Sequence, residues 1–170
     1  MAITFYISAA VAVIATLLAI TRLNAVHALL YLILSLLAVA VIFFVLGAPF
    51  IAALEVIIYA GAIMIVFIFV IMMLNLGEDA VEQERRWLPV RAWFGPSLLA
   101  LVLLIEVLFI ILSEPQVPAT AYVPAEIVGA VLFGPYLIAV ELASLLLLAG
   151  VVGAYHLGRR EHLEPGVKER

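Results

Sequence analysis

The chain has 170 residues, of which 68% are hydrophobic and 12% charged, and its formal net charge at pH 7 is −4. Soluble domains have about 45–50% apolar and about 25% charged residues, so this composition indicates a membrane protein and excludes a lone soluble enzyme. Cysteine is absent, which excludes disulfides and thiolate metal sites. Neither a metal-binding histidine motif nor a glycine-rich nucleotide loop is present, so we expect this chain to bind no metal, nucleotide, flavin, haem or iron–sulfur cluster by itself. No nucleic-acid partner is expected either.

Five stretches of the sequence are long and apolar enough to cross a membrane, which requires about 20 mostly apolar residues. They cover residues 3–21, 26–46, 51–75, 94–112 and 135–157. The first stretch follows "MAITFY", which lacks the positive start of a signal peptide, so we expect a retained helix. The sequence therefore predicts an all-α integral membrane protein with five transmembrane helices in a single domain, residues 1–170.

All eight basic residues fall on one side of the five predicted helices. They are Arg22, Arg85, Arg86, Arg91, Arg159, Arg160, Lys168 and Arg170. The connectors 47–50 and 113–134 contain none. Because cytoplasmic loops carry the excess of Lys and Arg, we expect an external N-terminus, an external loop at 113–134 and a cytoplasmic tail at 158–170.

Three glutamates lie inside predicted spans, at Glu55, Glu106 and Glu141. A charge at bilayer depth costs several kcal/mol unless it faces protein or water. With the predicted orientation, all three belong to the outer half of the membrane, about 6–9 Å from the outer helix ends. Two interpretations stay open for each: a protonatable group in a proton path, or a carboxyl that is partly wet or hydrogen-bonded to a neighbouring helix. The proton-path interpretation is stronger for Glu55 than for Glu106 and Glu141.

The third predicted span combines a carboxylate with a weak point in the helix. Tyr59 follows Glu55 by one turn, so both side chains lie on one face. Gly61 lies in "AGA" among β-branched residues of modest helix propensity. Its small size permits close packing of another helix. The other possibility is a π-bulge, a feature that often marks functional sites.

The motifs "ALEVIIYAGAIMIVFIFVIMMLNLG", "VHALLYLILSLLAV", "EQERRWL" and "LFGPYLIAVELASLLLLAGVVGAYHLGRR" closely resemble the subunit J family of bacterial NADH–quinone oxidoreductase, or respiratory complex I. The mitochondrial counterpart is ND subunit six. The resemblance covers most of the chain, whereas the fourth span and external loop are generic. Ala25 departs from the proline that relatives often have there, which affects only the local turn.

This resemblance implies a non-redox, non-catalytic subunit in the membrane arm of a proton-translocating enzyme in the bacterial inner membrane. It implies contacts with lipids, with subunits A, H and K, and with the nearest antiporter-like subunit. NADH, FMN, iron–sulfur clusters and quinone would be used by other subunits. It also implies a third helix with a switchable π-bulge near residues 60–67, beside a hydrated proton path. Glu55 and Tyr59 would precede the bulge, and Gly61, Met64, Val66 and Phe67 would lie in or beside it.

Two other functions remain possible at this level. One is a purely structural subunit that supports assembly of the membrane arm. The other is an independent transporter or a component of a cation/proton antiporter complex. The intramembrane carboxylates have no Lys or Arg inside the spans to pair with, which favours a protein that assembles with different subunits.

Overall fold

The computed structural model describes residues 2–22, 25–74, 93–112 and 122–158, and every regular element in these residues is helical. The elements are α1 (Ala2–Thr21), α2 (Ala25–Val45), α3 (Pro49–Leu54), a π-helix (Glu55–Ile63), α4 (Met64–Leu74), α5 (Phe94–Leu112), α6 (Ala125–Leu132) and α7 (Leu137–Gly158). The π-helix, called the π segment below, continues α3 and leads directly into α4, so these three elements form one continuous third span.

Five helices of the described chain are long and apolar enough to span a membrane, as predicted. Their ends lie within two residues of the predicted ends wherever both are described, because long apolar runs are a strong signal. The short helix α6 lies inside the predicted external loop 113–134, of which residues 113–121 are outside the described chain. The basic loop at 76–92 and the tail from 159 onward are also outside it. The orientation across the membrane stays a prediction.

The described chain groups into two compact units, residues 1–125 and 126–170. In the first unit, α2 is the central helix and packs against α1, the third span and α5. A buried cluster joins α1, α2 and α5. Its members are Val11, Ala15, Tyr31, Leu34, Ala38 and Leu103. Ala15 and Ala38 are completely buried, and such small residues let helices approach closely.

Hydroxyl groups add hydrogen bonds between α1 and α2. The Thr16 and Ser35 hydroxyl oxygens lie 2.7 Å apart. Ser35 also donates to the carbonyl oxygen of Ala12 at 3.2 Å. Interhelical hydrogen bonds of this kind contribute about 0.6 kcal/mol on average in membrane helices, so they set the position of α1 more than they drive its packing.

The turn between α2 and the third span depends on Gly47, whose φ of 87° favours glycine. The amide of Gly47 bonds to the carbonyl of Phe44, and the amide of Ala48 bonds to that of Phe43. This pair of bonds is the Schellman arrangement that ends α2. The Gly47 carbonyl also accepts a 2.8 Å bond from the Val123 amide, and Pro49 then begins α3. The start of the third span is therefore fixed by backbone bonds.

At the opposite end of α2, a tyrosine packs against a glycine of α5. Tyr31 is 2% exposed, and the Arg22 guanidinium lies 5.3 Å from the centre of its ring, within the range of a cation–π contact. A Cβ atom placed on Gly95 would overlap the Tyr31 hydroxyl oxygen. The approach of α5 to α2 therefore requires glycine at position 95.

The second unit contains α6, apart from its first residue, and α7. Residues 133–136 connect the two helices through bonds such as that from the Tyr136 amide to the Val131 carbonyl, at 3.2 Å. A Cβ atom on Gly134 would lie 2.6 Å from the Ala130 carbonyl oxygen, so this turn also requires glycine. No residue of α7 is buried within its own unit.

Candidate functional site

The backbone hydrogen-bond pattern of the third span changes between Glu55 and Met64. The Glu55 amide bonds to the carbonyls of Ile51 and Ala52, four and three residues earlier. The Met64 amide bonds instead to the carbonyls of Tyr59 and Gly61, five and three residues earlier. A bond to the fifth preceding residue defines a π-helix, which is rare and frequently coincides with functional sites.

Glu55 and Tyr59, the two residues predicted for a proton path, both lie in this π segment. Glu55 is its first residue and is half-buried, while Tyr59 is 49% exposed. The π segment packs against α2. Glu55 makes no side-chain hydrogen bond or ion pair with any other described residue.

Gly61 lies near the end of the π segment. A Cβ atom added to it would lie 3.1 Å from the carbonyl oxygen of Val56, five residues earlier. That distance is shorter than an ordinary van der Waals contact, and the neighbouring atom belongs to the backbone. The π-helical register itself therefore favours glycine here, in addition to any role in close helix packing.

The π segment begins earlier than the bulge predicted near residues 60–67 and overlaps that range only at 60–63. Met64 directly follows the π segment and is 4% exposed, whereas Val66 and Phe67 lie in α4 and are 61% and 51% exposed. The π-helical hydrogen bonding ends at Met64, whose amide donates to the carbonyl oxygen of Tyr59, five residues earlier. The β-branched residues 56–58, of modest helix propensity, lie inside the π segment rather than before it.

Glu106 lies in the contact between α1 and α5. Its carboxylate oxygen Oε2 accepts a hydrogen bond of 2.8 Å from the Ser8 hydroxyl. Glu106 is 6% exposed, and its second oxygen, Oε1, has no hydrogen-bond partner among the described residues. Glu141, by contrast, lies exposed on α7, where its backbone carbonyl accepts a bond from the Ser144 hydroxyl.

Ser8 is the polar partner that the sequence did not reveal. A single serine in an apolar helix carries little information by itself. The positions of the two residues in their helices do match. Ser8 lies six residues after the start of α1, and Glu106 lies six residues before the end of α5. Each is about 9 Å from its helix end, so antiparallel packing brings them to the same depth.

No group of three or more potential metal ligands occurs among the described residues. The histidines within the described chain, His27 and His156, lie in different units. The groups that the third span offers for chemistry are a carboxyl, a phenol and a backbone whose hydrogen-bond register changes along the span.

The sequence profile of the family described as NADH-ubiquinone/plastoquinone oxidoreductase chain 6 matches residues 15–157. The chain belongs to this family. The match leaves out residues 2–14 of α1 and the last residue of α7, and it includes the whole π segment.

Relatives of the chain 6 family are similar over nearly the entire chain. NADH-quinone oxidoreductase subunit J of Pseudomonas aeruginosa is 59% identical over 163 residues, which cover 95% of this chain and 98% of the relative. The subunit J protein of Escherichia coli K12 is 53% identical, covering 95% of this chain and 88% of the relative. That of Buchnera aphidicola from Schizaphis graminum is 48% identical, covering 95% and 99%.

Proposed function

We propose that this chain is a membrane-arm subunit of a proton-translocating NADH–quinone oxidoreductase in the bacterial inner membrane. The family match and the relatives named as subunit J support this assignment. In this proposal the chain carries no redox group, and NADH, FMN, the iron–sulfur clusters and quinone belong to other subunits. Through its third span, the chain contributes to the coupling of quinone reduction to proton translocation.

The observation that carries the coupling role is the change of hydrogen-bond register between Glu55 and Met64. Each residue of an α-helix advances the chain by about 100° around the axis. If the π segment converts to α-helix, the side chains before it rotate by about this angle relative to those after it. Glu55 and Tyr59 then change direction relative to α4 without unfolding of the span.

Such a rotation alters access to the Glu55 carboxyl. In one register the carboxyl and the Tyr59 phenol join a file of water molecules, and in the other they leave it. The two registers need differ by only a few kcal/mol for quinone chemistry in a neighbouring subunit to select between them. Gly61 keeps the π register accessible, because a larger residue crowds the Val56 carbonyl.

The surface of the chain suits assembly with other subunits. The side chains Ile65, Val66 and Met72 of α4 are each more than 60% exposed. Subunits A, H and K, the nearest antiporter-like subunit and lipids are the partners we propose for these surfaces. The same exposed surfaces favour the second candidate, a purely structural subunit that supports the membrane arm. That candidate predicts defects of assembly only.

Purification of the tagged chain from its native membrane in mild detergent tests the assignment. We expect the chain to migrate with a large complex that oxidises NADH and reduces quinone. Recovery of the chain alone or as a homo-oligomer, without NADH oxidation, would contradict the assignment and support an independent transporter.

A further inference from the structure

A buried acid and a buried hydroxyl connect α1 to α5, outside the third span. Ser8 is completely buried and Glu106 is 6% exposed. The Ser8 hydroxyl lies 2.8 Å from Glu106 Oε2, and Oε1 is enclosed without a partner among the described residues. The carboxyl is therefore sealed within the protein and has one hydrogen-bonding neighbour.

Within the described part of the chain, α1, α2 and α5 contain no Lys or Arg that could balance an ionised carboxylate here, and Arg22, just past the end of α1, lies beside Tyr31. Between residues 2 and 21, α1 has no acidic or basic residue, and Glu106 is the only one in α5. The titratable groups of α2 are His27 and Tyr31. Tyr31 contacts Gly95, which lies 11 residues, or about 16 Å, before Glu106 along α5. His27 lies one turn further from Glu106 than Tyr31.

An isolated charge in such surroundings is strongly disfavoured, and a neutral acid avoids that cost. Protonation preserves the contact with Ser8, because a carboxylic acid either accepts a hydrogen bond from the hydroxyl or donates one to it. The neutral form leaves only one uncharged oxygen, Oε1, without a partner.

We propose that Glu106 holds one proton as a neutral acid and that its hydrogen bond with Ser8 fixes α1 in register with α5. Val11, Ala15 and Leu103 belong to one buried apolar cluster that includes both helices, and apolar contacts are non-directional. A displacement of α1 by one helical turn separates the two groups and leaves the acid among apolar side chains. The pair therefore fixes the register of the two helices, as single polar residues do in other helix pairs.

Infrared spectra of the purified assembled complex at pH 7 test this proposal. The complex would contain ¹³C-labelled glutamate and either the natural chain or Glu106→Gln, Ser8→Ala, or the matched exposed-site controls Glu141→Gln and Ser144→Ala. In difference spectra against the natural complex, we expect Glu106→Gln to remove one protonated carboxyl band, which is thereby assigned to Glu106, and Ser8→Ala to shift this band to higher frequency, because the hydrogen bond is lost. We expect no change of this band in either control.

Assembly and turnover provide a second readout. Glutamine keeps the size and neutrality of the acid, so Glu106→Gln should assemble and oxidise NADH within about twofold of the natural complex. Ser8→Ala should weaken assembly about threefold, the effect of one interhelical hydrogen bond. Absence of the protonated band, an unmoved band in Ser8→Ala, failure of Glu106→Gln to assemble, or its turnover falling tenfold would each overturn the proposal. The infrared result does not depend on proton pumping, so it separates this proposal from the one made for the third span.

Discussion

The backbone amide of Met64 donates a hydrogen bond to the carbonyl oxygen of Tyr59, five residues earlier in the third span. Nine residues before Met64, the amide of Glu55 still bonds to the carbonyl four residues earlier. In the switch that we propose, the second form of this span is a continuous α-helix.

Gly61→Val should shift the third span away from the π-helical form, because a Cβ atom at this position lies 3.1 Å from the Val56 carbonyl oxygen. A bias of about 1 kcal/mol changes the ratio of the two forms roughly fivefold. We expect NADH–quinone turnover and proton translocation to fall by about this factor or more in assembled complex, and Gly61→Ala to have a smaller effect.

Gly150→Val is the matched control for Gly61→Val. Gly150 lies in the spanning helix α7, and among the described residues an added Cβ atom meets nothing within 4 Å beyond its own helical turn. Its turnover should stay near that of the natural complex. If Gly61→Val reduces only the amount of complex, while the assembled fraction retains full turnover and pumping, the chain is a structural subunit.

Glu55→Gln should lower turnover and pumping by at least about tenfold, because the amide cannot take up and release a proton. Glu55→Asp retains the carboxyl and should recover part of the activity. Glu141→Gln removes an exposed carboxyl of another span and should have little effect. Normal turnover in Glu55→Gln would assign Glu55 to a wet position at the membrane interface.

Tyr59→Phe should have a milder effect than Glu55→Gln. The substitution keeps the ring and removes one hydroxyl group, whose hydrogen bond is worth about 1 kcal/mol. We expect turnover to fall at most about fivefold, measured in the same assembled preparations. A loss equal to that of Glu55→Gln would mean that the phenol itself transfers the proton.

Gly95→Ala should destabilise the contact of α2 with α5, because the added methyl group overlaps the Tyr31 hydroxyl. Overpacking of this kind costs about 1–3 kcal/mol and should lower the thermal stability of the assembled complex. Tyr31→Phe removes the obstructing oxygen and keeps the ring beside Arg22. The double variant should therefore be more stable than Gly95→Ala alone, and lack of rescue would show that another contact limits the approach.

The sequence predicted the five spans well because the length of an apolar run is nearly sufficient to define a transmembrane helix. It indicated the weak region around Gly61 but located the predicted bulge five residues too late. Helix propensity identifies a stretch that tolerates an irregular register, but it does not specify the residue at which the hydrogen bonding changes. Both registers contain the same side chains, so composition does not distinguish them.

The pairing of Ser8 with Glu106 was beyond prediction for a different reason. The carboxyl was identified as unusual from its depth, and a hydrogen bond to a neighbouring helix was one of its two interpretations. Choosing the partner required knowing that α1 packs directly on α5, although more than 70 residues separate them in the sequence. The depth of Glu106 in the membrane limits its possible hydrogen-bond partners to residues at the same depth. The packing of α1 on α5 determines which of these residues it meets.

The most direct test of the central claim is a density map of the third span, from Pro49 to Leu74, in the assembled complex with and without turnover of NADH and quinone. The account predicts two populations: one with Met64 bonded to Tyr59, and one in which each amide bonds to the fourth preceding carbonyl and Glu55 has rotated relative to α4. A single register in every catalytic state, in complex that pumps protons normally, would contradict it.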